Sequence, residues 1–454
     1  MAYILNTSSD VREMLGSLGL TSLEQLFESI PSELRLKRSL SVPDAMSEMA
    51  LTTHVSSLAA RNQGVDRLPC FLGAGAYDHF IPAAVDLLAS RSEFYTAYTP
   101  YQAEASQGTL QAIFEYQTLI TQLTGMDVSN ASLYDGGSAA AEAMLMAHAL
   151  REGRDEILVA GSVHPEYRAT LATYAANLPL KIRVVEPVAG RVTADQMAAS
   201  LTDQTAAILV QQPNFFGQLE DLKALTAAAQ ARGALAIVSV DPISLGLLQR
   251  PGDLGADIVI AEGQSLGNIL TYGGPYLGIL ACREAYLRKL PGRVVGQTTD
   301  RRGNRCWVLT LQTREQHIRR EKATSNICTN QGLMALRASM YLALLGPQGL
   351  RDVAELSTRK AHYAAEQLAQ IPGVSVAFPG PFFKEFTIRV EANARKVLDQ
   401  VLAHGFHGGI AIGEWYPELA DTILIAVTEK RTKEEIDGLV AAYRSALQSH
   451  SVHE

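Results

Sequence analysis

AAILVQQ (residues 206–212), LEDLKALTAAAQARG (219–233) and ALAIVSVD (234–241) decide the fold. Two short apolar runs enclose an Ala-rich helical stretch, and Gly233 stands where a helix C-cap would. Outward from this unit the same alternation recurs. Candidate strands are EILVAG (156–161), KIRVVEP (181–187), DIVIAEG (257–263) and YLGILAC (276–282), with Ala-rich helices between. Apolar runs alternating with helices indicate an α/β domain built on a mostly parallel sheet.

The layout changes after about residue 330. QGLMALRASMYLALL (331–345) reads as a long helix, VSVAF (374–378), FKEFTIRV (383–390) and ILIAVT (423–428) as strands, and KEEIDGLVAAYRSAL (433–447) as a closing amphipathic helix. A small C-terminal α+β domain over 331–454 is expected, after a large domain over 61–330. Residues 1–60 read as a helical arm, in which Thr21 and Glu24 have capping-box spacing ahead of Leu26, Phe27 and Ile30, and Pro31 stops the helix.

Composition narrows the function. The chain has 454 residues, 47% of them hydrophobic, enough for two cores. With 39 basic against 47 acidic residues and no long basic run, neither nucleic acid nor an anionic membrane is an expected partner. Cys70, Cys282, Cys306 and Cys328 form no Cys-x-x-Cys pair, so neither a zinc site nor a disulfide framework is expected. No stretch has membrane-spanning length, and Asp10 and Glu13 argue against an Arg-rich presequence, so the cytoplasm is the expected location.

Three places could carry chemistry. DGGSAAAEAMLMAHA (135–149) sets Gly136, Gly137 and Ser138 before a long helix, where free N–H groups and the helix dipole can bind a phosphate; an ordinary turn with a serine cap is the alternative. His164, in SVHPEYRAT, follows a candidate strand and can lie flat over an aromatic ring or be a structural histidine. Asp241 ends a buried strand and can hold a protonated pyridine nitrogen or merely cap the next turn. Gly73 and Gly75 are not followed by a third glycine at Asp78, so a dinucleotide fingerprint fails.

This ordered set, with the later YGGPYLG (272–278), resembles the aspartate-aminotransferase-type (fold-type I) pyridoxal-phosphate enzymes. FLGAGAYDHFIPA (71–83), TAYTPYQAEASQGTLQAIFEYQTLI (96–120), YDGGSAAAEAM (134–144) and REKATSNICTNQGLMALRA (320–338) further resemble glycine decarboxylase, the P-protein of the glycine cleavage system, in its separate alpha subunit. In the catalytic P-protein subunit a Schiff-base lysine stands eleven residues before the proline of GGP. Here that proline is Pro275 and the lysine position holds Gln264, which cannot form an imine. Lys289, in the amphipathic stretch CREAYLRKL past the following strand, and the other nine lysines fall away from the expected strand end.

The resemblance implies a subunit without catalytic residues of its own. Gly136, Gly137, Ser138, His164, Asp241 and Gln264 would be a cofactor-pocket remnant. Pyridoxal phosphate would sit in a lysine-bearing beta subunit, with glycine as substrate and the lipoyl H-protein as second partner. Tyr98, Thr99, Pro100, Tyr101 and Gln102 form a polar, aromatic loop suited either to reaching the partner's site or to plain surface packing. Two other readings stay open: a pyridoxal enzyme that works without lysine, and a non-catalytic scaffold for the catalytic subunit.

Overall fold

The computed structural model describes residues 5–95, 99–327 and 331–451. It separates into two compact units, Met1–Gln63 and Gly64–Glu454.

The first unit holds helices α1 (Ser8–Ser17) and α2 (Glu48–Ala59). Thr7 caps α1 through a capping box with Asp10. The turn expected near Thr21 differs in two ways: it is a short 3-10 helix over Leu23–Phe27, and Gln25 rather than Glu24 accepts from the Thr21 and Ser22 amides. Leu26, Phe27 and Ile30 are exposed, and Leu15 alone is buried among the unit's described residues.

In the second unit the helices are α3 (Ala83–Ala89), α4 (Ser92–Tyr95), α5 (Gln107–Thr124), α6 (Gly136–Leu150), α7 (Pro165–Ala175), α8 (Ala194–Ser200), α9 (Leu222–Ala231), α10 (Gln316–Arg319), α11 (Gly332–Leu368), α12 (Ala394–Ala403) and α13 (Lys433–Ser451). The central sheet comprises β1 (Val128–Ser129), β2 (Glu156–Ala160), β3 (Lys181–Val185), β4 (Thr205–Gln212), β5 (Leu235–Val240), β6 (Ile258–Glu262) and β7 (Gly278–Cys282), in the order β1-β7-β6-β5-β4-β2-β3. Strands β2 to β6 pair in parallel, while β7 runs antiparallel to both β6 and β1. Every residue of β5 is buried, as in a strand covered on both faces. Gly233 ends the α9 turn at φ +68, the left-handed conformation that glycine adopts without Cβ strain.

A hairpin of β8 (Val294–Thr299) and β9 (Arg305–Thr310) follows. A smaller antiparallel sheet has the order β10 (Val374–Val376), β11 (Glu385–Val390), β13 (Thr422–Ala426), β12 (Ile410–Ala411). Helix α11 links the two cores. It breaks at Gly346 (φ 59) before Pro347, a residue suited to the first turn of a new helix. Ala335, Tyr341 and Ala354 pack into the large-sheet core, and Ala361, Ala365 and Leu368 into the small-sheet core.

Candidate functional site: a filled pocket at the carboxyl ends of the strands

Strands β5 and β6 end beside the start of α6, and Gly136, His164, Asp241 and Gln264 gather there as the topology of an open parallel sheet allows. Each polar group is already engaged by another part of the chain.

The helix start comes first. Asp135, not Ser138, is the N-cap of α6, its side chain accepting from the Ser138 amide at 2.7 Å. The Gly136 amide donates to Glu262 Oε2 at 2.9 Å. Glu262 Oε1 accepts from the amides of Gln264 (2.9 Å) and Leu277 (3.0 Å). Three such bonds favour a carboxylate, yet burial outweighs them and pushes Glu262 up to about 7. A phosphate at this helix start would face both Glu262 and Asp135, whose charges oppose it.

The aromatic position is also taken. His164 stacks on Tyr167, ring centroids 4.9 Å apart and 20° from parallel. Its Nε2 meets the Ala74 carbonyl at 2.9 Å, and burial lowers its pKa. Tyr167 reaches back over Gly136, where an added Cβ would overlap its hydroxyl. Glycine is needed at 136 for close approach of a side chain of this same protein.

Asp241 shows the same pattern. Its Oδ1 accepts from the Ile243 amide at 3.0 Å, capping the next turn, and its Oδ2 lies 2.8 Å from Lys384 Nζ. Lys384 Nζ also meets His79 Nε2 at 2.9 Å and sits 3.5 Å from the centre of the Tyr77 ring. His79 Nδ1 is 2.6 Å from Glu429. With Nε2 accepting from lysine and Nδ1 donating to carboxylate, the imidazole is neutral, in accord with the fall in its pKa caused by burial and by Lys384. The next residue, Glu385, takes hydrogen bonds from the Ala74 amide (2.7 Å) and the Tyr77 hydroxyl (2.8 Å), and burial raises it to about 7.

Gln264 is buried, and its amide is spent on the backbone. Oε1 accepts from Tyr77 N at 2.8 Å, while Nε2 donates to Tyr77 O (3.1 Å) and Asn268 O (2.8 Å). What remains between Gly75, Tyr77, His164, Tyr167, Asp241 and Glu262 is a cavity of about 30 Å³. That is room for about one water, against roughly 300 Å³ or more in ordinary ligand pockets. Pyridoxal phosphate does not fit this arrangement: the stacking histidine, the aspartate and the first helix amide each hold a side chain.

Gly136, His164, Asp241 and Gln264 thus come together, with Ser138 and Gly137 in the same helix turn. Residues 99–102 do not join them. Tyr98 lies outside the described residues. Pro100 is buried, Thr99 accepts from the Tyr101 amide and Gln102 from the Ala105 amide. Tyr101 meets Arg293 (2.9 Å) and stacks edge-on with His317. Lys384 is the residue that sequence order concealed. It is 143 positions beyond Asp241, and only the pairing of β11 with β13 beside Gly73 brings it in. Tyr167 had a signal, three residues after His164 and so one helical turn away.

Among the described residues no helix is long and apolar enough to cross a membrane. The family model for the glycine cleavage system P-protein matches residues 1–443. A probable glycine dehydrogenase (decarboxylating) subunit 1 from Carboxydothermus hydrogenoformans is 53% identical over 440 residues, covering 97% of this chain and 98% of that protein. A crystal structure of glycine decarboxylase (P-protein) of the glycine cleavage system, in inhibitor-bound form, superposes with a TM-score of 0.90 at 43% identity, covering 98% of this chain and 100% of that one. Glutamate decarboxylase from Lactobacillus brevis shares the fold alone, with a TM-score of 0.69 at 14% identity over 92% of this chain and 96% of that one. With the fold-type I pyridoxal-phosphate architecture and this similarity along nearly its whole length, the chain belongs to the glycine cleavage system P-protein family, as a subunit 1 of glycine dehydrogenase (decarboxylating).

Proposed function

We propose that this chain is the lysine-free subunit of glycine decarboxylase, acting in the cytoplasm with a lysine-bearing second subunit that holds pyridoxal phosphate. The pair decarboxylates glycine and passes the aminomethyl group to the lipoyl arm of the H-protein. One observation carries the assignment: Gln264 stands at the lysine position with its amide fully committed to the Tyr77 and Asn268 backbone. Gly136, Gly137, Ser138, His164, Asp241 and Gln264 are on this reading a cofactor pocket that has lost its tenant, and the small cavity weighs against a pyridoxal enzyme working without lysine in this chain. The cofactor supplies an electron sink in the partner, and this subunit contributes surface that orients groups and excludes water there.

The loop through Tyr98 and Tyr101 is the proposed contribution to the partner's site. The two subunits, each purified, are mixed and assayed for glycine–bicarbonate exchange with H-protein. Exchange should require both, and Tyr98→Phe or Tyr101→Phe should lower it while the subunits still co-elute. Exchange by the second subunit alone at the full rate would refute the assignment. Unchanged turnover in both loop variants would remove the loop from the active site.

A further inference from the structure

Three contacts could hold a phosphorylated pyridine at the carboxyl ends of these strands, and the chain meets each of them with a group of matching chemistry. Asp241, at the end of β5, could carry a protonated ring nitrogen; it carries Lys384 Nζ at 2.8 Å. His164 could lie over an aromatic ring; it lies over Tyr167, 20° from parallel. The first amide of α6 could bind a phosphate oxygen; it binds Glu262 Oε2 at 2.9 Å.

The three groups come from separate segments: Tyr167 from α7, Glu262 from the last position of β6 and Lys384 from the residue before β11. Plain core packing would fill such a space with apolar side chains, because a buried ion pair gains little over a well-packed apolar substitute. Here the surroundings are built for the occupants instead. Lys384 Nζ has a carboxylate on one side, the face of the Tyr77 ring 3.5 Å away and the accepting Nε2 of His79 at 2.9 Å. Glu262 is anchored by the amides of Gln264 and Leu277 besides that of Gly136, and Tyr167 has the close approach that only a glycine at 136 permits.

We propose that Lys384, Tyr167 and Glu262 together form a built-in plug that takes the place of pyridoxal phosphate, holding the pocket walls together without it and leaving the cofactor to the lysine-bearing subunit. The inference rests on the reading of this pocket as one that has lost its tenant, and adds which groups now do the tenant's work. Their pattern is a cation on Asp241, a ring on His164 and an acceptor oxygen at the head of α6. Removing the plug should therefore open a site for a ligand that combines all three. Removing Lys384 alone should leave a site for a primary alkylammonium ion on Asp241.

Calorimetry with pyridoxamine phosphate on the full chain tests the plug directly. The variant Lys384→Ala/Tyr167→Ala/Glu262→Ala should gain one binding site that the wild type lacks, and adding Asp241→Asn should weaken it about tenfold or more. The single variant Lys384→Ala, which loses a piece of side chain the size of propylammonium, decides the matter if the triple variant does not fold. Propylammonium chloride should raise its melting temperature by about 2 °C or more, while propanol, or sodium chloride at the same concentration, should not. The rise should vanish in Lys384→Ala/Asp241→Asn. A folded triple variant that binds nothing, or propanol that protects Lys384→Ala as well as propylammonium does, would show that the three side chains merely fill space and would overturn the proposal. Binding of pyridoxamine phosphate by the wild-type chain would overturn the emptied-pocket reading together with the plug, whereas failure of the variants beside a non-binding wild type overturns the plug alone.

Discussion

Lys384 Nζ and Asp241 Oδ2 are 2.8 Å apart, with side chains 1% and 9% exposed, and they join the start of β11 to the end of β5. A buried pair of this kind is worth little against a well-packed apolar substitute, but losing one member strands a charge. Lys384→Met should therefore cost about 3–5 kcal/mol in urea unfolding. Adding Asp241→Asn should recover most of that loss. No recovery would mean that Lys384 acts mainly through His79 and the Tyr77 ring.

Gly136 and Tyr167 should behave as a matched pair. A Cβ at 136 would overlap the Tyr167 hydroxyl, so Gly136→Ala should destabilise by about 1–3 kcal/mol through overpacking. In a Tyr167→Leu background the same substitution should cost less than half as much. A double-mutant cycle from four denaturation curves measures the coupling. Additivity would show that the helix start moves aside instead.

The pH dependence follows from Glu262. Burial raises its carboxyl to about 7 from an ordinary 4.5, so the folded chain binds more protons than the unfolded chain between those values. Its contribution is fully present below pH 4.5 and is lost as pH rises through 7. Glu385, also raised to about 7, acts in the same direction, while His79 and His164, lowered by burial, act oppositely below 6.5. Comparison with Glu262→Gln isolates the first term. The stability of wild type minus that of the variant should fall between pH 4.5 and 7 in thermal melts; a flat difference would show that Glu262 stays ionised when folded.

Much of the fold was legible because the large sheet is made of consecutive strand-helix units with buried strands, so that EILVAG, AAILVQQ and ALAIVSVD each declare themselves locally. The break in α11 was not, since Leu333–Leu345 and the residues after Pro347 are both good helix and only the left-handed Gly346 separates them. At the site, Gly136, His164, Asp241 and Gln264 could be named from the ends of strands and the head of a helix. Their partners could not. Lys384, Glu385 and Glu429 come from distant parts of the chain through the second sheet, and periodicity carries no information about such long-range pairing. The N-cap is ambiguous in sequence for a simpler reason: Asp135 and Ser138 both suit the role, and geometry selects the residue before the two glycines.

Restoring the missing lysine tests whether its loss alone empties the pocket. In Gln264→Lys the new amine would enter between the Tyr77 backbone and the Asn268 carbonyl, with Tyr167 still over Gly136 and Glu262 still holding the Gly136 amide. Neither obstacle is removed, and the cavity of about 30 Å³ lies far below what a drug-sized ligand needs. The variant mixed with pyridoxal phosphate should therefore show no imine absorbance, and borohydride reduction followed by mass spectrometry should find no stoichiometric adduct at position 264. Pyridoxamine phosphate, which needs no lysine, should give no saturable heat with the wild-type chain in calorimetry. A specific adduct, or one-site binding of pyridoxamine phosphate, would show that Tyr167 and Glu262 yield readily and that the glutamine is the one barrier to the cofactor.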